Sequence, residues 1–183
     1  RKIPAFLVLA FLWCGPSLFA GDVVLNHGFE TEDWLYWAET GNVPFHHKGV
    51  VKFDTTGNGK SSWAFYQHPG DDCSGGLEQT VYVLEGVTYE VGADVCIKRL
   101  MFTYQDGGNY SISIAGTVII EDHCGPIGAY MNIRHSASAT YVAQETGPAL
   151  LDVYNWKDDV CASLNVNFID NMRVYPEDGD FTA

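Results

Sequence analysis

Two short segments hold the residues best placed to do chemistry. Asn26-His27-Gly28-Phe29-Glu30 follows an apolar leader, and Phe168-Ile169-Asp170-Asn171-Met172-Arg173-Val174 precedes the C-terminal tail. Each sets one carboxylate, Glu30 or Asp170, beside apolar residues that should be buried, where an ionised acid needs hydrogen bonds or a cation. A hard cation joining the two segments would satisfy both acids.

Aromatic residues are the second resource: the chain has 5 Trp, 10 Tyr and 10 Phe. A pyranose has an apolar face that stacks on such rings, and its rim of hydroxyls needs polar side chains nearby. Trp156 lies in the polar stretch Asn155-Trp156-Lys157-Asp158-Asp159, an unusual place for a large apolar ring without a use. Tyr104 and Tyr110, close to Gln105, Asp106 and Asn109, form another candidate group, balanced between binding and loop packing. Trp63 shares one strand face with Phe65 and Gln67; like Trp34 and Trp37 it also suits a core.

Enzymatic signatures are missing. No Gly-x-Ser-x-Gly, His-Glu-x-x-His or phosphate-cradling glycine loop occurs. A glycosidase needs only two suitably separated carboxyl groups, and among mid-strand acids Glu78, Glu90 and Asp94 are the candidates. His46-His47 and His123-Cys124 are adjacent pairs, which on a strand point to opposite faces and chelate poorly. The stretch Asp54 to Lys60 places Thr56 and, further on, Phe65 where an EF-hand needs oxygen ligands, so it reads as a turn.

Residues 1–20 read as a secretory signal peptide, with Arg1 and Lys2, an apolar run from Ile3 to Trp13, and cleavage expected after Ala20. The apolar run is short for a bilayer, and no membrane span is expected once it is removed. Residues 21–175 have the size of one domain, and 176–183 form an acidic tail or linker. The net charge of −13 becomes −15 without the leader's two basic residues. Clustered Lys or Arg is absent, which argues against nucleic acid and sulfated glycans as partners and leaves neutral glycans and divalent cations.

Cys73, Cys96, Cys124 and Cys161 remain in the mature chain, an even count that suits an oxidising compartment. Two disulfides are expected, and Cys96–Cys124 with Cys73–Cys161 is the pairing taken from three connectivities. Asn109-Tyr110-Ser111 is the one N-glycosylation sequon.

The elements that must position these residues are strands. Short alternating runs recur between Gly and Asn, and helical periodicity is hard to find after the leader. Leu77, Gln79, Val81 and Val83 share one face, as do Tyr89, Val91, Ala93, Val95 and Ile97 beyond the turn Leu84-Glu85-Gly86. Further strands are expected at Val23–Leu25, Gly49–Phe53, Ser62–Tyr66, Tyr110–Ala115, Thr117–Ile120, Ala129–His135, Thr140–Ala143, Leu150–Tyr154 and Ser163–Val174. About ten strands in one domain predict an all-β, two-sheet antiparallel sandwich.

The order of Leu25-Asn26-x-Gly28-Phe29-Glu30, Trp34-x-x-Trp37, Gly76-Leu77-x-Gln79-x-Val81, Gly86-x-Thr88-Tyr89 and Phe168-Ile169-Asp170-Asn171-x-x-Val174 resembles jelly-roll carbohydrate-binding modules of xylanases and glucanases. The resemblance spans about residues 22–175; residues 98–144 match nothing in it. It implies a galactose-binding-like β-sandwich that binds polysaccharide without catalysis. It also implies a structural Ca2+ held by Glu30 and Asp170, with backbone carbonyls near Gly28 adding oxygens to a shell of six to eight. Two rival readings use the same fold: an extracellular structural or adhesive glycoprotein that self-associates, and a polysaccharide hydrolase or a fragment of one.

Overall fold

Side-chain alternation sets which face of each strand is buried. Along Ser74–Val83, the residues Leu77, Gln79, Val81 and Val83 are buried while Thr80 and Tyr82 are exposed. Along Thr88–Arg99, Tyr89, Val91, Ala93, Val95 and Ile97 point into the same core. Period-two burial of this kind is what a half-covered sheet requires. The computed structural model describes residues 24–25, 27–41, 48–67, 74–99, 105–106, 108–127, 132–156 and 165–177. The expected signal peptide, Cys73, Tyr104, Cys161 and residues 178–183 of the tail lie outside this set.

The described strands are β1 (Ala38–Gly41), β2 (Lys48–Phe53), β3 (Ser62–Gln67), β4 (Ser74–Val83), β5 (Thr88–Arg99), β6 (Gln105–Asp106), β7 (Asn109–Ile114), β8 (Thr117–His123), β9 (Pro126–Ile127), β10 (Asn132–Val142), β11 (Gly147–Trp156) and β12 (Asn165–Pro176). They build two five-stranded antiparallel sheets, in the orders β1-β4-β11-β7-β8 and β10-β5-β12-β3-β2, with β6 and β9 as a separate pair. The expected all-β two-sheet sandwich is the fold observed. Its core, with Phe29, Trp37, Phe65, Leu77, Ile112, Leu151, Ile169 and Met172, lies between the sheets.

Two expected elements differ. Of the strand expected at Val23–Leu25, the described residues form none: Val24 is irregular and Leu25 lies in a turn. The backbone of Leu25 pairs instead with the side-chain amide of Gln79, its N–H donating to Oε1 at 2.7 Å and its carbonyl accepting from Nε2 at 2.9 Å. From Asn132 onward, the run expected at Ala129–His135 and the run expected at Thr140–Ala143, up to Val142, belong to the single strand β10, which pairs with β5 from Asn132↔Lys98 to Val142↔Thr88. The turn at Leu84-Glu85-Gly86 is present, with the Val87 N–H donating to the Leu84 carbonyl at 3.1 Å.

Alternation on β5 also explains the cysteines. Cys96 points away from Val95 and Ile97 and packs with Ala64, Val166 and Phe168 on the far side of its sheet, whereas Cys124 lies in the main core. The sheet separates the two sulfurs, so the expected Cys96–Cys124 disulfide is not formed. Burial pushes the Cys96 thiol up to about 11, which keeps it protonated and unreactive at neutral pH. The Cys73–Cys161 pairing falls outside the described residues.

Close packing of β4 on β11 depends on Gly76, which pairs with Tyr154. A methyl added there would lie 2.1 Å from the Val153 carbonyl oxygen and 2.9 Å from Tyr154 Cα. Backbone, unlike a flexible side chain, cannot step aside cheaply. Gly76→Ala is therefore expected to destabilise the fold by about 1–3 kcal/mol, the usual cost of overpacking. The check is a lower denaturant midpoint at unchanged m-value.

Candidate functional site

Strand β12 carries a buried carboxylate across the end of the sandwich. Asp170 is fully buried and stands directly opposite Asp94 of β5. Thr55 Oγ1 donates to Asp170 Oδ2 at 3.0 Å, Ser62 Oγ donates to the same oxygen, and the Asn171 backbone N–H donates to Oδ1 at 2.8 Å. Burial raises the Asp170 pKa, and these three hydrogen bonds oppose the rise without cancelling it.

The ladder shifts between Asp170 and Arg173, where Asn171 takes a left-handed conformation with φ of 47°. This bulge re-aims the chain, and the Met172 N–H reaches the His27 carbonyl at 3.0 Å. The first segment is thereby fastened to the last strand. Gly28 is the meeting point: a methyl placed on it would lie 3.4 Å from Glu30 Oε1, 3.7 Å from Asp170 Oδ1 and 3.8 Å from Asn171 Oδ1. Two carboxylates and an amide oxygen converge there, a hard-oxygen donor set that fits Ca2+. Asn171 is turned toward this point by its own amide, whose Nδ2 donates to Asp94 Oδ2 at 2.7 Å. Among the described residues no three His, Cys, Asp or Glu side chains group as a denser metal site.

The second constellation is the outer face of the β1-β4-β11-β7-β8 sheet. On β11 the inward residues Ala149, Leu151, Val153 and Asn155 are buried, so Leu150, Asp152, Tyr154 and Trp156 point outward. Tyr154 and Trp156 stack, with ring centroids 6.4 Å apart and planes 30° from parallel. Trp156 is thus the end of a strand rather than part of a loop, and Tyr154, two residues earlier, is the partner that sequence reading missed. Across from them lie the small residues Gly76 and Ser74 of β4, and Ser111 and Asn109 of β7.

One step along the same face, Asp152 pairs with Glu78 on one side and Ser113 on the other. Asp152 Oδ1 and Thr40 Oγ1 are both shielded from solvent without a hydrogen-bond partner. Burial first, and then the charge of Glu78, push Asp152 up to about 6, against an opposing pull from the nearby Thr40 hydroxyl.

Other expected site residues are placed elsewhere. Tyr110 is buried in the core, edge-on to His135 at 5.5 Å between centroids, and burial beside Asp122 pushes its hydroxyl up to about 12. It has no face to offer a ligand, which corrects the binding role expected for it. Trp63 is half-buried against the core with the Lys52 ammonium 5.0 Å from its ring centre, away from the Trp156 face. Tyr104 lies outside the described residues. Asn109 opens β7 opposite Trp156. The Asp54 stretch is a turn, as read from the sequence, with Gly57 and Gly59 N–H groups donating to the Asp54 carboxylate at 2.6 and 3.0 Å. A hollow of about 500 Å³ at the far end of the sandwich, walled by Val83, Ala115, Glu145 and Pro148, has no exposed aromatic platform.

No protein-family model matches the sequence, and no curated protein sequence matches it. Solved structures do. TmCBM61 in complex with β-1,4-galactotriose aligns over 86% of this chain and 99% of its own at a TM-score of 0.53 and 19% identity. The CBM22-1 xylan-binding domain of Paenibacillus barcinonensis Xyn10C aligns over 88% and 99% at a TM-score of 0.52 and 14% identity. The CBM22-1–GH10 modules of Clostridium thermocellum xylanase 10B, complexed with xylohexaose, align over 85% of this chain and 28% of theirs at 0.50 and 17%. The chain therefore shares the jelly-roll sandwich of these carbohydrate-binding modules.

The raised Asp152 pKa carries a pH signature. The native carboxyl takes up its proton below about 6, while the unfolded chain stays ionised down to about 4. Between those values the folded state holds more protons, so this group's contribution to stability grows as pH falls and is lost as pH rises through 6. Asp152→Asn is expected to raise stability at pH 7.5 by about 1 kcal/mol, after allowance for solvent screening of a part-exposed group, and to add nothing at pH 4. Thermal melts at the two pH values check the sign.

Proposed function

We propose that the protein is a secreted, non-catalytic binder of neutral glycan, that the outer face around Tyr154 and Trp156 is its binding surface, and that Ca2+ fastens the chain ends. The stacked Tyr154–Trp156 pair carries the reading. Two adjacent rings on a sheet face, bordered by Ser74, Gly76, Ser111 and the acids Asp152 and Glu78, give a sugar both an apolar platform and hydroxyl partners. Likeness of fold to modules solved with galactotriose and xylohexaose supports it. So does the acidic surface, which repels anionic polysaccharides. Secretion rests on the basic and apolar pattern of residues 1–20.

Binding rather than hydrolysis rests on the likeness of fold to carbohydrate-binding modules. Asp152 and Glu78 face each other across neighbouring strands of one floor, where they supply acceptors for sugar hydroxyls. At the other site Glu30, Asp170 and Asn171 would hold the cation, which supplies charge neutralisation for the buried Asp170 and a link between the segment at Gly28 and β12.

Glycan-array and calorimetric titration of neutral oligosaccharides test the first part. Tyr154→Ala and Trp156→Ala should each weaken binding by about tenfold or more with the fold intact by circular dichroism; absence of binding to every neutral glycan would remove the reading. For the cation, EDTA should lower Tm by roughly 5–10 °C, since an ion at about a hundred times its Kd adds about 2.7 kcal/mol and each kcal/mol moves a domain of this size by about 2–4 °C. Glu30→Ala should abolish that shift, and a melt indifferent to EDTA would rule the ion out.

A further inference from the structure

A second hollow opens on the same sheet face. It has a volume of about 300 Å³ and is walled by Leu25, Tyr36, Ala38, Glu78, Thr80 and Leu150. Leu25, Tyr36 and Leu150 are 56%, 58% and 43% exposed, an unusual grouping of large apolar side chains in water.

Construction of the hollow is rigid. Buried Gln79 bonds both the N–H and carbonyl of Leu25, and its Nε2 also donates to the Tyr36 carbonyl at 3.3 Å. Tyr36 itself is held at a φ of 76°, a conformation that a bulky residue adopts only when its surroundings impose it. The Trp37 N–H closes the turn on the Trp34 carbonyl at 3.0 Å. One buried amide thus fixes two backbone segments so that an aromatic and an aliphatic side chain stand in solvent, and a prearranged apolar surface loses little entropy when a ligand settles on it.

Its position relative to the Tyr154–Trp156 pair is fixed by the strand. Leu150, Asp152, Tyr154 and Trp156 lie in one outward row on β11, opposite Thr80, Glu78, Gly76 and Ser74 of β4. Six residues of strand separate Leu150 from Trp156, about 20 Å, or several pyranose rings end to end. Aromatic rings therefore mark both ends of one track, with the two carboxylates between them.

We propose that the hollow beside Tyr36 is a second sugar subsite on this track, so that the protein grips an internal stretch of a linear neutral glycan rather than a terminal sugar. The proposal rests on the glycan-binding reading above and adds to it the shape of the ligand. Isothermal titration with xylo-oligosaccharides and β-1,4-galacto-oligosaccharides, from disaccharide to hexasaccharide, tests it on the full chain. Wild-type affinity should climb with length until the oligosaccharide spans both aromatic groups. Tyr36→Ala should bind the shortest oligosaccharides as wild type does and fall about tenfold behind on the hexasaccharide, while Tyr36→Phe keeps the gain. Tyr36→Gly suits the φ of 76°, so it should fold at least as well and still lose the gain. Equal hexasaccharide affinity in wild type and Tyr36→Gly, or wild-type affinity flat from the disaccharide upward, overturns the second subsite alone. Failure of wild type to bind either series, together with no neutral glycan bound on the array, overturns both readings. Loss of wild-type self-association in Tyr36→Ala by sedimentation, with sugar affinity unchanged, would make the hollow a contact between copies and end the proposal.

Discussion

A desolvated carboxylate governs how this sandwich is closed. Asp170 occupies a fully buried position on β12, and a carboxylate there is tolerated because the groups around it supply hydrogen-bond donors. Meeting that demand recruits Thr55 from the turn after β2, Ser62 from the start of β3, and the backbone of Asn171. The ladder shift at Asn171 goes with the Met172 bond to His27 and the approach of Asp170 and Asn171 to Gly28. Parts of the chain far apart in sequence are organised by one charge, and removing it would loosen the strand end, the turn and the first segment together.

Away from that point, the two faces of β11 separate the core from the outer surface. The inward row of β11 is Ala149, Leu151, Val153 and Asn155, buried between the sheets; the outward row is Leu150, Asp152, Tyr154 and Trp156. Because the pleat fixes spacing, the outward rings and acids are held to the same tolerance as the core. Asp152 bears the cost: its carboxylate is partly desolvated next to Glu78 and settles near 6.

Much of the architecture was legible because β4 and β5 alternate so cleanly. The apolar residues assigned to their inner faces are buried. Legibility failed where a polar side chain replaced backbone pairing, as at Leu25, whose partner is the Gln79 amide instead of a neighbouring strand. It failed at β10, where Ser136 and Ser138 interrupt the apolar run although the backbone continues to pair with β5. At the candidate site, Trp156 was visible by its polar surroundings, and those same surroundings hid that β11 extends through it and aligns Tyr154 beside it. Tyr110 shows the converse: its neighbours Gln105, Asp106 and Asn109 are polar, but the parity of β7 turns its ring inward. The convergence of Asn171 on Gly28 depends on a left-handed residue and a ladder shift, neither of which leaves a periodic trace.

The cross-strand pairing of Asn109 with Trp156 has a practical consequence. Asn109 begins the sequon Asn-Tyr-Ser, and with Tyr110 turned inward its own side chain projects from the same surface as the indole. An oligosaccharide attached to that amide would stand over the aromatic pair, competing with free ligand from within the molecule at a high effective concentration. A chain carrying a sugar at that amide would present a capped surface, and one without it an uncapped surface, from the same sequence.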